Sequence, residues 1–389
     1  MTELFQLDIK ALRRRFLDGT LDPVALLDHY QSRIDQLNPM LNALIAPDPT
    51  ARHQAEASAK RYRSEKPLGP LDGISVTVKD NILQTGLAAT IGSPVFESHH
   101  PKKDETAVAC LRRAGAVLLG KTNVPEFCLE GFCSNTLFGT SKNPWNPALT
   151  PGGSSGGAVA GAAAGRWPLA IGTDDGGSIR RPAGHTGLVG LKPTIGRVPR
   201  LHQLPQLLLE MEVVGPLARR ATDAAALFKE IAGPDRRDSL SRLPVEPGGD
   251  QPLDRPPPAM RILYVERLGK AQLAPEIASS LRRMSDRLAN LGYVVSEGAM
   301  PLDIERLNRI GQAGLAALKA SLGDEFAQAS EPYQAMARAG HALSAADLYG
   351  LVDLIQTLRQ QAAACFADID IILIPRSRST TLARGRAFS

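Results

Sequence analysis

The chain has 389 residues, 43% hydrophobic and 22% charged, with a net charge of +5. That balance supplies a large core. It includes no apolar run long enough to span a bilayer, because the longest small-residue stretch is broken by Arg166, Trp167 and Pro168. The opening MTELFQLDIKALRRR places acidic residues before its basic cluster and has no apolar core segment, so it does not read as a secretory signal. The excess of Arg and Lys is spread singly, without stacking aromatics, which argues against a nucleic-acid surface. Cys110, Cys128, Cys133 and Cys365 show no metal-ligand spacing and read as buried, reduced thiols of a cytoplasmic protein.

In chain order, residues 7–19 and 22–37 carry apolar positions at helical spacing, and Asp22-Pro23 fits an N-cap and first turn. A polar helix is expected over residues 50–65. In LDGISVTVKDNI, alternation places Ile74, Val76 and Val78 on one face of a strand, with Lys79 at its end. A helix over 105–114, a buried strand over 116–119, a loop over 135–157 and a small-residue helix over 158–165 follow. A short strand over 169–172 leads into TDDGGS, and a helix covers 222–232. The Pro/Gly-rich stretch 241–260 reads as a surface excursion. Beyond it come strand 261–265, helix 275–291, strand 293–296, helices across 303–366 and strand 369–374. This alternation predicts an α/β layered fold, taken as a single domain over residues 1–375 with an atypical basic tail at 376–389.

Two motifs match short patterns without their context. Gly115 to Thr122 fits GxxxxGK[ST], but its middle residues are themselves an apolar strand rather than a phosphate cradle. Gly152 to Gly156 fits GxSxG, but no strand precedes it and no histidine stands in a triad context. The pair of glycine-flanked serines, Ser154 in GGSSGG and Ser178 in DDGGS, is harder to dismiss. Either stretch alone reads as a flexible loop or a turn. Together they suggest a nucleophile and a relay. The backbone N–H groups around Gly176, Gly177 and Ser178 can form a nest for an oxyanion. A serine hydroxyl needs a base, and a lysine serves only when neutral, which burial favours. Lys79, ending an apolar strand, is placed for that.

These residues lie in longer stretches: DGISVTVKDNI, GKTNVPEF, NPWNPALTPGGSSGGAVAGAAAG, GTDDGGSIRRPAGHTGLVGLKPTIGRVPR and VVGPLARRATDAAALFKEIAG. In them the chain resembles the amidase signature family of serine hydrolases. The resemblance implies a mixed central β-sheet covered by α-helices and a Ser–Ser–Lys triad. Ser178 is then the nucleophile, Ser154 the relay behind a cis peptide after Gly153, and Lys79 the base. The backbone amides of Asp175, Gly176, Gly177 and Ser178 are the implied oxyanion donors. The implied chemistry is cleavage of a carboxamide through a seryl acyl-enzyme, with no metal and no cofactor.

Two departures from the family stand out. Asp175 occupies a position where the family has an uncharged residue, and a pair with Arg180 or Arg181 is expected to neutralise it. The chain also ends in RSRSTTLARGRAFS, without the usual C-terminal strands, which reads as a truncated terminus. Arg181 is the candidate contact for a substrate carboxylate, with Arg180 structural. The leading expectation is a stand-alone amidase with a small-molecule amide substrate, no direct nucleic acid, no membrane, and room for a homodimer. The second is the glutaminase subunit of a tRNA-dependent amidotransferase, which makes ammonia for a partner; RLHQLPQLLLEMEVVGP (200–216) departs from the usual form of that subunit. The third is an inactive family member that keeps the motif.

Overall fold

The computed structural model describes residues 3–241, 257–267, 272–300 and 309–376. Their contacts group into two compact units. Among the described residues the first holds 3–241 and 325–330, and the second holds the remainder.

The first unit opens with helices α1 (Ile9–Leu17) and α2 (Pro23–Leu41), capped by Asp8 and Asp22. Their carboxylates accept from the N–H groups of Ala11 and Ala25 at 2.7 and 2.8 Å, which satisfies donors that a helix start otherwise leaves open. Helix α2 runs past the expected end to Leu41 and closes on Asn42 in the left-handed region, φ 48°. There follow β1 (Leu44–Pro47), α3 (Ala51–Arg63), β2 (Ser75–Lys79), α4 (Thr106–Arg113) and β3 (Val117–Thr122). Next come β4 (Ser134–Asn135), β5 (Gly139–Thr140), α5 (Gly156–Ala163) and β6 (Leu169–Asp174). The unit continues with α6 (Arg180–Thr186), β7 (Val189–Gly190), β8 (Val213–Ala218) and α7 (Ala221–Ile231).

Six strands form one mixed sheet in the order β1-β3-β2-β6-β8-β7. Strands β3, β2 and β6 run parallel, whereas β1, β8 and β7 each pair antiparallel with a neighbour. The alternation in β2 does not separate core from solvent, because every residue of the strand is buried. Ile74, Val76 and Val78 pack into a core shared with α1, α4 and α7. A second core, holding Val117, Leu119, Ala170 and Leu217, packs with α2 and α5. Sheets with parallel strands are covered on both faces, so their strands read as nearly continuous apolar runs. Gly115 to Thr122 lies mostly within β3, and Lys121 is buried there with its ammonium donated to the carbonyl of Ile82. That arrangement leaves no phosphate cradle at this motif.

Strand β8, absent from the expectations above, contains Gly215 and Pro216. Proline is disfavoured inside sheets because it cannot donate to a ladder. Pro216 avoids that cost by turning to the β7 side, where its carbonyl accepts from Leu191 at 3.1 Å, so the pairing with β6 loses no bond.

The second unit contains β9 (Arg261–Tyr264), α8 (Pro275–Asn290), β10 (Val294–Glu297), α9 (Arg309–Leu322), α10 (Glu331–His341), α11 (Ala345–Cys365) and β11 (Ile371–Leu373). Its three strands are parallel in the order β10-β9-β11. Helix α11 starts on a capping box between Ser344 and Asp347. The tail beyond Arg376 and residues 242–256 of the Pro/Gly-rich excursion lie outside the described residues.

Helix α5 is all small residues because its neighbours leave no room. A Cβ built on Gly157 would lie 2.4 Å from the Asn123 nitrogen and 2.5 Å from the Ala43 oxygen, both backbone atoms that cannot swing aside. Replacing glycine by alanine in an open helix stabilises it. Here overpacking wins, and Gly157→Ala should destabilise the fold by about 3 kcal/mol. The check is a lower urea midpoint at unchanged slope; an unchanged or higher midpoint would contradict this packing.

Candidate active site

Strands β2 and β6 are parallel neighbours, so their C-terminal ends emerge together, the usual place for a site in such sheets. Lys79 ends β2, and Thr173 and Asp174 end β6. Lys79 is fully buried. Its Nζ lies 2.7 Å from Ser154 Oγ, 2.7 Å from Thr173 Oγ1 and 3.4 Å from the Thr173 carbonyl. Among the described residues no carboxylate forms an ion pair with it.

Ser154 lies just before α5, behind a cis Gly153–Ser154 peptide, as the family resemblance implies. The GGSSGG stretch is buried throughout, so it is not a flexible loop. A Cβ on Gly153 would meet the Phe132 carbonyl oxygen at 2.4 Å, a close approach only glycine permits. The Ser155 N–H donates to the Ser178 carbonyl at 3.1 Å, which sets the two serine segments side by side. Ser178 itself is buried at the turn between β6 and α6.

Two adjacent carboxylates organise that turn. Asp174 accepts from the N–H groups of Gly177 and Ile179 at 2.8 and 3.0 Å and takes a bidentate pair from Arg180 at 3.0 and 2.9 Å. Burial alone would raise its pKa, but the Arg180 bonds and charge outweigh burial and hold the carboxyl at about 2. Asp175 is not paired with Arg180 or Arg181, contrary to expectation. Arg180 is taken by Asp174, and Arg181 donates to the carbonyls of Gly153 and Gly176 at 3.3 and 2.9 Å. Asp175 accepts only its neighbour's Gly176 N–H, at 2.6 Å. Burial, reinforced by the negative charge of Glu212, pushes its pKa up to about 6. Of the four amides expected to face an oxyanion, those of Gly176 and Gly177 are engaged by these carboxylates. Those of Asp175 and Ser178 have no acceptor among the described residues.

A cleft opens beside this turn, lined by Asn81, Phe127, Cys128, Asp175, Arg200 and Glu212 together with the segment Leu204–Leu208. Phe127 and Cys128 both sit in the left-handed region, φ 52° and 58°, a costly conformation that recurs at functional sites. Burial pushes the Cys128 thiol up to about 12, so it stays protonated. Behind the wall runs a chain of polar contacts. Thr173 Oγ1 accepts from Asn81 Nδ2 at 3.0 Å, Asn81 Nδ2 reaches Glu212 Oε1 at 3.2 Å, and Arg200 binds both Glu212 and, at 2.6 Å, Glu105. Burial acts against the charge of Arg200, but the two carboxylates outweigh it and raise its pKa. The sequence analysis missed Thr173, Asn81, Glu212 and Arg200. Asn81, Thr173 and Arg200 lie in the stretches that carry the family resemblance, a signal that could have found them, whereas Glu212 lies outside those stretches.

A family model described as Amidase matches residues 25–388. This chain belongs to the amidase signature family. The fold matches a 6-aminohexanoate cyclic dimer hydrolase solved with its substrate, at TM-score 0.89 and 25% identity, over 98% of this chain and 82% of that one. It matches a bacterial aryl acylamidase of the amidase signature family equally well, over 98% of this chain and 81% of that one. In sequence this amidase signature protein is 38% identical over 296 residues to a glutamyl-tRNA(Gln) amidotransferase subunit of Symbiobacterium thermophilum. That match covers 75% of this chain and 60% of the relative, so it spans less than two thirds of the relative's length. The corresponding subunit of a Synechococcus strain is 33% identical over 91% of this chain and 79% of its own length.

These relatives correct one expectation. A lone small-molecule substrate with no nucleic acid does not fit a family branch whose members are named as subunits of a glutamyl-tRNA(Gln) amidotransferase. The modest charge of one chain reports only the surfaces that chain presents, not what an assembly handles. Among the described residues no helix is long and apolar enough to cross a membrane.

The neighbouring carboxylates should respond to pH in opposite directions. The pKa of Asp174 is depressed to about 2, so its contribution is present above pH ~4 and fades as pH falls towards 2. Asp174→Asn should therefore cost about 2 kcal/mol at pH 7 and clearly less at pH ~2.5. The pKa of Asp175 is raised to about 6, so wild-type stability is lost as pH rises from ~4 through 6. Asp175→Asn should gain on the wild type over that window. Urea titrations of both variants from pH ~2 to 8 decide it, and parallel profiles would contradict the assignment.

Proposed function

We propose that this chain is the amide-hydrolysing subunit of a glutamyl-tRNA(Gln) amidotransferase, releasing ammonia from glutamine through an acyl-enzyme on Ser178. The observation that carries the chemistry is the buried 2.7 Å contact between Lys79 and Ser154, with no carboxylate to hold the lysine as an ammonium. The choice of an amidotransferase over a free amidase rests on the relatives named as amidotransferase subunits, one of them at 33% identity over 91% of the chain.

In this reading Lys79, neutral, takes the proton of Ser154 as Ser154 takes that of Ser178. Ser178 Oγ bonds to the amide carbon and the carbonyl oxygen becomes the oxyanion. The unengaged amides of Asp175 and Ser178 face it, and each such donor is worth roughly two to three orders of magnitude in rate. The proton returns along the relay to the leaving nitrogen, the carbon–nitrogen bond breaks, and ammonia departs. Water then gives a proton to the same relay and attacks the ester, freeing glutamate and restoring Ser178. Thr173 Oγ1, also 2.7 Å from Lys79 Nζ, fixes the direction of the amine. Arg181 bridges the Gly153 and Gly176 carbonyls and so ties the relay segment to the nucleophile turn.

The test combines a serine-directed fluorophosphonate with an ammonia assay on glutamine. Each is run on the chain alone and with the remaining subunits of a bacterial glutamyl-tRNA(Gln) amidotransferase and its glutamyl-tRNA. An adduct maps to Ser178 and disappears in Lys79→Ala, and ammonia release falls about a thousandfold or more in Ser178→Ala, Ser154→Ala and Lys79→Ala. Turnover of anilides with none of glutamine, partners present, would replace this reading with that of a free amidase.

A further inference from the structure

The cleft beside Ser178 has an unbalanced set of polar groups. Asp175 forms no ion pair among the described residues, although the charges of Lys79, Arg180 and Arg181 reach it, and only one of its oxygens is engaged, by the Gly176 amide. Glu212 uses Oε1 for both Asn81 and Arg200, which leaves Oε2 without a bond. Asn81 gives its Nδ2 to Thr173 and Glu212, while its Oδ1 is buried without any donor. Asn81 is itself only 6% exposed. The one cation lining the cleft, Arg200, is bound to Glu105 as well as Glu212, so its charge is already spent. The cleft is therefore richer in acceptors and negative charge than in cations. The remaining lining is mostly apolar, including Phe127, Leu129 and Leu207, with Gln206 a polar exception.

From this we infer that the cleft selects amides that carry a protonated amine, seating the ammonium against Asp175, Glu212 and the Oδ1 of Asn81. An ammonium brings three donors and no acceptor, which answers the unpartnered Asn81 oxygen and the two carboxylates beside it. A neutral amide of the same shape leaves the buried Asn81 oxygen unpaired, and an acid that carries no amine beside its carboxylate is repelled by Asp175 and Glu212. The aliphatic arm that joins amine to amide packs on the apolar lining. The raised pKa of Asp175 agrees with a carboxylate that waits for a cation, since an adjacent positive charge favours its ionised form. This inference rests on Ser178 acting as the nucleophile, and it deepens the glutaminase reading, because glutamine carries an α-ammonium. It also reaches beyond glutamine, to amino-carboxamides without an acid group.

The experiment compares two matched pairs, γ-aminobutyramide with butyramide and L-glutamine with its Nα-acetyl derivative. It measures kcat/KM together with protection of Ser178 from the fluorophosphonate. In the wild type the amine-bearing member of each pair should be favoured about tenfold or more and should protect better. Asp175→Asn should bring the ratio towards unity, with continued labelling of Ser178 showing that the variant is folded. Glu212→Gln provides a second reading of the same ratio. Equal handling of both members, preference for the neutral one, or a ratio unmoved by Asp175→Asn overturns the inference while leaving the hydrolase intact. Preference for γ-aminobutyramide over butyramide without glutamine turnover upholds the inference and rejects the amidotransferase. No labelling and no turnover with partners present rejects the acyl-enzyme, and the inference falls with it.

Discussion

A lysine buried among hydroxyls and a carbonyl, rather than against a carboxylate, is the constraint around which this site is built. Ser154 and Thr173 hydroxyls at 2.7 Å hold its nitrogen in place. Such a lysine needs a sheet that delivers it, a neighbouring strand that supplies Thr173, and a loop that can approach closely enough to present Ser154. Parallel pairing of β2 with β6 provides the first two. Glycines at positions where any Cβ would strike backbone provide the third.

The turn that carries Ser178 shows how two identical side chains take different tasks from their surroundings. Asp174 is saturated with donors and locks the turn to Arg180. Asp175, one residue on, has its carboxylate in the cleft and no cation of its own. The first acts as a structural anchor. The second lines the cleft without an ion pair of its own. Glu212 and Asn81 approach the same space from other segments and add acceptors to it. The polar chain from Lys79 through Thr173, Asn81 and Glu212 to Arg200 ties the cleft wall to the proton relay.

The likeness to amidases of known structure and the likeness to amidotransferase subunits address different levels of the molecule. Folds at TM-score 0.89 with 25% identity share the architecture of the chain. They do not say which amide enters, because the cleft is walled by segments such as 200–212 that belong to this chain. The closer likenesses in sequence are to proteins named as amidotransferase subunits.

The sequence by itself determined most of the helices, the strands β2, β3, β6, β9, β10 and β11, the cap at Asp22, the family, and the candidate residues Lys79, Ser154 and Ser178, which lie near the C-terminal ends of β2 and β6. Periodicity and motif are local signals, and these features have local causes. What the local signals missed was decided by neighbours distant in the chain. Strand β8 carries glycine and proline, and is a strand only because β6 and β7 flank it with a suitable bonding pattern. The full burial of β2 follows from cover on both faces, which alternation alone cannot report. The partner of Asp175 was misjudged because Arg180 stands at a compatible distance along the chain from both acids, and only the turn geometry awards it to Asp174. Asn81, Thr173 and Arg200 lie within the family stretches but carry no separate signal, and Glu212 lies outside them; their contacts arise when the sheet brings β2, β6 and the 200–212 segment to one point.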